Sequence, residues 1–376
     1  MQEQTKLQEQ WRRYWPLLLI IGVVVALYGR TTGFDFLEWD DRPYIVDNPV
    51  LQQVSVDNLR SIFTPGGIEG ELLYIPFSYL SFLPNTFFFG LNAIAAHSLN
   101  IILHGANGIL AFLLCFQLFK NRNAALFAAL LFIVHPLQVG AVSWAFCRRD
   151  LLSGLFALLF LLVHLKWRAT RRSALLWLAL LFYTCGVLSK PNMIFLPFVC
   201  ILLPWLQSVR PGRQQWSLPL LYLLPMGLLL WLNSQANSGQ NLNIEGQLYY
   251  LSYLPEVTTQ WLGRILLLIN PNPYHLSLTL QPELIRPLAL LAPAILMLVL
   301  YVAYRTNRKM FICLLIAGFA LLPAGHVLIA ANRQFYTADH YGYIAMLGFT
   351  GAFAAAISQW ITAKAAPFVF LGAIAA

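Results

Sequence analysis

Three features of the sequence predict an all-α, polytopic membrane fold. Apolar stretches long enough to cross a bilayer recur from one end of the 376 residues to the other. Only 10% of the residues are charged, where an average soluble domain carries about 25%. The basic residues also gather in alternate connections between the apolar stretches, the pattern of cytoplasmic loops. The net charge of +9 therefore reflects topology, and nucleic acid is not an expected partner. Cys115, Cys147, Cys185, Cys200 and Cys313 are scattered and form no CxxC or metal spacing, so neither disulfides nor zinc is expected.

Residues 1–13 are polar and carry Lys6, Arg12 and Arg13, which places the N-terminus in the cytoplasm. The first span, about 14–29, lacks a small-residue cleavage site and is expected to be retained. The loop that follows, 30–86, is then outside. It holds eight of the fifteen acidic residues: Asp35, Glu38, Asp40, Asp41, Asp47, Asp57, Glu69 and Glu71. Its Asn48-Pro49 and Pro65-Gly66-Gly67 turns predict an irregular, structured segment, with a short surface helix over Val56–Phe63.

The second span is expected over 87–119 and the third over 124–142, broken late by His135-Pro136. Arg148, Arg149 and Asp150 then fall in an outer loop. Further spans are expected near 151–165, 174–188, 193–208 and 217–233. A second large outer segment, 234–284, contains an apolar stretch too short to cross, so 255–280 is expected to be re-entrant or to lie on the outer face. Spans near 287–304, 310–330 and 341–358, and one starting near Ala365, bring the count to about eleven in a single domain, 1–376. In this topology the cytoplasmic side carries fifteen basic residues and two acids, and the outer side nine basic residues and thirteen acids. No internal repeat of fixed period is present.

Two patterns carry chemistry. His97, Asn100, His104 and Asn107 fall within an arc of about 80° on one helix face. Such a stripe must face protein or water. Inter-helix hydrogen bonding is its ordinary explanation, and contact with substrate or metal at His97 the sharper one. The second pattern is Asp40-Asp41, a carboxylate pair where the chain leaves the bilayer, suited to taking a proton from a substrate held at the surface. Its ordinary alternative is a helix cap or an acidic loop pair. Arg148, Arg149, Lys190 and Arg333 open on the same face. Their cations suit phosphate, or equally lipid head groups and pairing with Asp150 and Asp339. His340 alone reads as well as an ordinary loop histidine.

Taken together these motifs resemble bacterial relatives of the transmembrane and TPR-repeat O-mannosyltransferases, within the type-C glycosyltransferase fold. The resemblance rests on Trp39-Asp40-Asp41 with Tyr44-Ile45 and Asn48, on Tyr74-x-Pro76, and on the His97 to Asn107 stripe. It continues through His135-Pro136-Leu137-Gln138-Val139 with Ala141-Val142-Ser143-Trp144, Arg148-x-Asp150-Leu151-Leu152-Ser153, Leu188-Ser189-Lys190-Pro191 and Ala338-Asp339-His340-Tyr341. Two departures stand out. Gly140 occupies the position where the family usually has Glu, and no TPR array follows within these residues.

The resemblance implies a glycosyltransferase of the bacterial inner membrane. It would move sugar from a polyprenyl-phosphate donor to a hydroxyl of a periplasmic protein or glycan. Asp40 is expected as general base, with Asp41 orienting the acceptor or sharing a divalent cation such as Mg²⁺ or Mn²⁺ with it. No cofactor is certain. Arg148, Arg149, Lys190 and Arg333 would hold the donor phosphate. Trp39, Tyr44, Tyr74, His97, Asp150, Asp339, His340 and Tyr341 would line the substrate pocket. Inversion is expected, because no second carboxylate is placed to form a covalent intermediate. The competing readings are a lipid-linked-sugar flippase, which should carry midplane charges and inverted repeats, and a non-catalytic scaffold, which Gly140 favours.

Overall fold

The computed structural model describes residues 2–206, 214, 217–236, 261, 263–265, 275–276, 291–330 and 336–358. Arg333, most of 234–284 and the span expected from Ala365 lie outside the described residues. Among the described residues, four helical stretches are long and apolar enough to cross a membrane: Tyr14–Gly33, Ala93–Phe119, Leu218–Ala236 and Asp339–Ile357. Shorter apolar helices run over Arg122–Val134, Ser173–Ser189, Pro191–Pro204 and Ala294–Thr306. The chain is a helical, multi-pass membrane protein. Among the described residues, the one departure from an all-α pattern is a two-residue antiparallel ladder that pairs His275 with Thr337 and Leu276 with Tyr336.

In chain order the helices are α1 (Gln2–Tyr28), α2 (Pro49–Gln52), α3 (Val56–Phe63), α4 (Pro76–Leu80), α5 (Leu83–Phe89), α6 (Ala93–Phe119), α7 (Arg122–Val134), α8 (Gln138–Ser143) and α9 (Arg148–Thr170). They continue with α10 (Ser173–Ser189), α11 (Leu196–Leu206), α12 (Leu223–Ala236), α13 (Leu291–Thr306), α14 (Arg308–Ala330) and α15 (Tyr343–Ile357). The expected α3 forms, capped by the Ser55 hydroxyl on the Asn58 N–H.

Several boundaries differ from expectation, and two of them matter here. The second span starts at Ala93, not at residue 87. Gly90 turns the chain with φ +64 and Asn92 caps the Ala95 N–H, so Phe87–Phe89 belong to a separate loop helix. Arg148, Arg149 and Asp150 form the first turn of α9 instead of a loop. Their charges are satisfied by partners far away in sequence, described below.

The bundle is centred on α6. Its polar stripe is wholly buried, and Asn100, His104 and Asn107 work as inter-helix glue. Asn100 donates to the Val142 and Trp144 carbonyls. His104 Nδ1 meets the Tyr343 hydroxyl at 2.8 Å and its Nε2 meets the Ile133 carbonyl at 3.3 Å. Asn107 donates to the Leu151 carbonyl and to the same Tyr343 oxygen. One stripe thus ties α6 to α7, α9 and α15. Small residues let the helices approach closely: a methyl at Gly108 would lie 2.7 Å from Ile133 and 2.9 Å from Ile20.

The loop after α1 folds as a cap with its own apolar cluster. Ile45, Leu51, Ile62, Ile75, Tyr79 and Phe82 pack with Trp144, Phe146 and Cys147, which precede α9. Ser78 donates to the Ser189 carbonyl, and the Tyr74 N–H donates to Asn233. The cap is therefore fastened to the ends of α9, α10 and α12. The opposite end of the bundle is closed by Lys309 on the Phe119 carbonyl and Asn307 on the Ala355 carbonyl.

Candidate active site

Asp40 and Asp41 lie just before a single wide turn, Arg42–Val46, closed by the Asp47 N–H on the Arg42 carbonyl. The two carboxylates are used differently. Asp41 points inward and is fully buried. One of its oxygens accepts the Leu37 N–H at 3.0 Å, and the other accepts the Phe146 N–H at 2.8 Å. Burial pushes its carboxyl up to about 6, against the pull of those two N–H groups. Asp41 thus welds the loop to the segment before α9, and its oxygens are engaged. Asp40 points the other way, and its side chain stays 30% exposed.

Arg149 meets Asp40 from below, its Nη2 3.5 Å from Oδ2. The guanidinium stands over the Phe146 ring at 4.2 Å and lies 4.0 Å from Glu71. Glu71 also accepts the Tyr79 hydroxyl at 2.8 Å, and burial together with Glu71 raises the Tyr79 phenol. One step deeper, Lys190 Nζ lies 2.7 Å from both oxygens of Asp150, and Asn192 donates to the same carboxylate. The Lys190 ammonium sits over the Tyr341 ring at 4.8 Å. Asp40, Arg149, Asp150, Lys190, His340 and Tyr341 are thereby gathered at one end of the bundle, although the first and last are about 300 residues apart.

The other sequence-selected residues divide. Arg148 is buried, and its guanidinium donates to Asn100 Oδ1 and to the Ser81 and Ala96 carbonyls while stacking on Phe82 at 3.8 Å. All three of its nitrogens are thus engaged in the protein. Tyr44 stacks on Phe146 and donates to the Gly70 carbonyl. Tyr74 donates to the Phe63 carbonyl. Both tyrosines are part of the cap's framework. His97 is buried at the top of the α6 stripe with its ring edge-on to Phe34. Trp39 is largely exposed beside Asp40. Asp339 is buried 3.5 Å from Arg264.

Glu71, Phe146, Asn192 and Arg264 join the site without having been singled out in the sequence. Glu71 was visible only as one acid among eight. Arg264 lies in the segment expected to be re-entrant, where His135 Nε2 also meets the Ile265 carbonyl at 3.3 Å.

No family model matches the chain. It is 32% identical over 205 residues to protein O-mannosyl-transferase TMTC1 of Mus musculus, a match that covers 49% of this chain and 21% of that protein. Nearly half of this chain is thus similar to a part of that O-mannosyl-transferase. The chain is also 34% identical over 160 residues to protein O-mannosyl-transferase tmtc2 of Xenopus laevis, covering 41% of this chain and 19% of that one. The corresponding figures for TMTC3 of Homo sapiens are 30% over 168 residues, 43% and 18%. The chain spans about a fifth of the length of these O-mannosyl-transferases. Among solved structures, it is similar to the Archaeoglobus fulgidus oligosaccharyltransferase tethered with an acceptor peptide. That likeness has a TM-score of 0.49 and 15% identity, and covers 98% of this chain and 54% of the other. It is too slight to carry an argument.

Proposed function

We propose that the chain is a membrane glycosyltransferase that moves a sugar from a polyprenyl-phosphate donor to a hydroxyl of a protein or glycan. The observation that carries this reading is the partly exposed Asp40 carboxylate, held 3.5 Å from a buried guanidinium with a buried ammonium behind it. A base that faces solvent beside cations that face the bundle is what displacement of sugar from phosphate requires. The kinship with O-mannosyl-transferases supports the same class.

In this mechanism the acceptor oxygen attacks the anomeric carbon as Asp40 takes its proton. The bond from that carbon to the phosphate oxygen breaks, and its electron pair leaves on the phosphate. Arg149 and Lys190 stabilise the charge that develops there. Arg148 is assigned to framework, because each of its three nitrogens already donates to an acceptor in the protein. Asp41 orients the loop through Leu37 and Phe146, so sharing a divalent cation with Asp40 is not part of the mechanism. Direct displacement gives inversion. The chain is read as one domain of type-C fold with about eleven spans. Its N-terminus lies in the cytoplasm of a bacterial inner membrane, and its site opens to the periplasm.

The test is transfer from a panel of radiolabelled polyprenyl-phosphate sugars by the purified chain, with membrane extract as acceptor. Wild type is expected to transfer with inversion. Asp40→Asn should lose transfer by at least about a hundredfold while still binding donor. Equal turnover by both proteins, or a retained configuration in the product, contradicts this mechanism. An Asp40→Asn protein that moves lipid-linked sugar across vesicles as well as wild type favours a transporter.

A further inference from the structure

We propose that Cys147, Asp150 and His340 form a binding site for one zinc-class divalent cation with an open fourth position. Cys147 ends the turn before α9, and Asp150 follows three residues later on the same helix face. His340 comes from the single turn Asp339–Gly342 that leads into α15. One ligand atom from each, Sγ, a carboxylate oxygen and a ring nitrogen, all lie within 4.8 Å of one another, and all three residues are buried. Tetrahedral bonds of zinc to sulfur and nitrogen set ligand atoms roughly 3.3–3.8 Å apart, so side-chain adjustments of about 1 Å close the shell.

The second observation is His340 itself. It is 1% exposed, yet neither ring nitrogen has a hydrogen-bond partner. An imidazole buried this way leaves a donor and an acceptor unmet, which native structures avoid. Edge-on packing of the Trp144 and Tyr341 rings fixes its plane. Asp150 is oriented by Lys190 and Asn192, and one of its oxygens receives only the lysine. That is the outer-shell support a ligating carboxylate needs.

A bound dication would meet the negative charges of the Cys147 thiolate and the Asp150 carboxylate, against the Lys190 ammonium 2.7 Å from Asp150. Sulfur and imidazole donors select zinc over magnesium. This site differs from the Mg²⁺ or Mn²⁺ pair expected of Asp40 and Asp41, and it runs against the expectation that no cysteine serves a metal. Cys147 and Asp150 are close in sequence, but their third partner is 190 residues away.

Titration of the folded, full-length chain in detergent with Co²⁺ tests the proposal, with size exclusion as the fold check for every protein. Wild type is expected to bind one equivalent with a thiolate-to-cobalt charge-transfer band. Zn²⁺ should displace it and a large excess of Mg²⁺ should not. Cys147→Ser should abolish the band, and His340→Gln should weaken binding by more than about tenfold. Cys115→Ser, elsewhere in the bundle, should match wild type. Cobalt bound without the thiolate band, a folded Cys147→Ser protein with wild-type affinity, or no binding by wild type overturns the proposal. A wild-type protein that ignores Co²⁺ but is stabilised by inorganic phosphate also overturns it, and assigns His340, Lys190 and Arg149 to an anion.

Discussion

Asp40 and Asp41 are adjacent in sequence and opposite in consequence. The backbone turns one carboxylate toward solvent and Arg149, and the other onto two N–H groups beneath the loop. The Asp41 carboxyl is raised from an ordinary 3.8 to about 6, because burial outweighs its hydrogen bonds. The consequence for stability has a definite sign. When the loop opens, Asp41 returns to the ordinary carboxylate range. Between about 4 and 6 the open loop has released a proton that the closed loop still holds. The closed state therefore weakens as pH rises through that window and levels off above it. The whole effect is on the order of 2–3 kcal/mol. Amide exchange at Leu37 and Phe146, corrected for intrinsic rates, should show the opening free energy falling over this window in wild type. In Asp41→Asn it should be flat. Parallel profiles in the two proteins would show that Asp41 does not govern the loop.

At the level of helices, close approach sets the geometry. A methyl at Gly348 on α15 would lie 2.4 Å from the Ala317 backbone nitrogen and 2.5 Å from the Cys313 carbonyl oxygen on α14. Backbone cannot yield as a flexible side chain would, so Gly348→Ala should force the two helices apart at a cost of about 1–3 kcal/mol. Gly318, directly after Ala317 on α14, has nothing within 4 Å of the same added atom. Melting in detergent should drop by several degrees for Gly348→Ala and stay at or above wild type for Gly318→Ala. A Gly348→Ala protein as stable as the control would contradict this packing. Gly140 also has open space around it, so a larger side chain there would meet no steric bar.

Such contacts also mark where sequence reasoning reached its limit. The α6 stripe was legible because helical spacing alone brings His97, Asn100, His104 and Asn107 to one face. The start of α9 was not. A run of Arg, Arg and Asp looks unfit for a buried helix turn until Ser81, Ala96, Asn100, Asp40 and Lys190 supply its partners. Those partners lie 40 to 109 residues away along the chain. For the same reason Asp40 could be picked out by motif, whereas Asp41's inward turn and His340's unpartnered ring depended on tertiary contacts.

The described residues form a helix bundle with a folded cap at one end, and their apolar surface bears on how the two meet the bilayer. On α6 the exposed Ile94, Ile102, Leu113 and Phe116 occupy the side opposite the buried polar stripe, which is the face of a helix that looks outward to lipid. Immediately before it, Phe87, Phe88 and Phe89 are 69%, 70% and 65% exposed. Successive helical residues point about 100° apart, so three neighbours that are all exposed cannot share one dry face. They form a tip with apolar side chains on several sides. Water would make such a tip costly, at about 1.5–3 kcal/mol per phenylalanine left unburied. Placed at the entrance of α6, it instead sits at the depth where a span meets the interface. Its insertion would pin the cap, and with it Asp40, at the membrane surface. Phe88→Trp in nanodiscs should be quenched by lipids brominated near the head of the acyl chain, more strongly than by lipids brominated near its end. Replacing Phe87 and Phe89 with Ser in the same protein should reduce that quenching. Emission from residue 88 that brominated lipid leaves unchanged and soluble quencher extinguishes would place the tip in water, and the cap would then need another anchor.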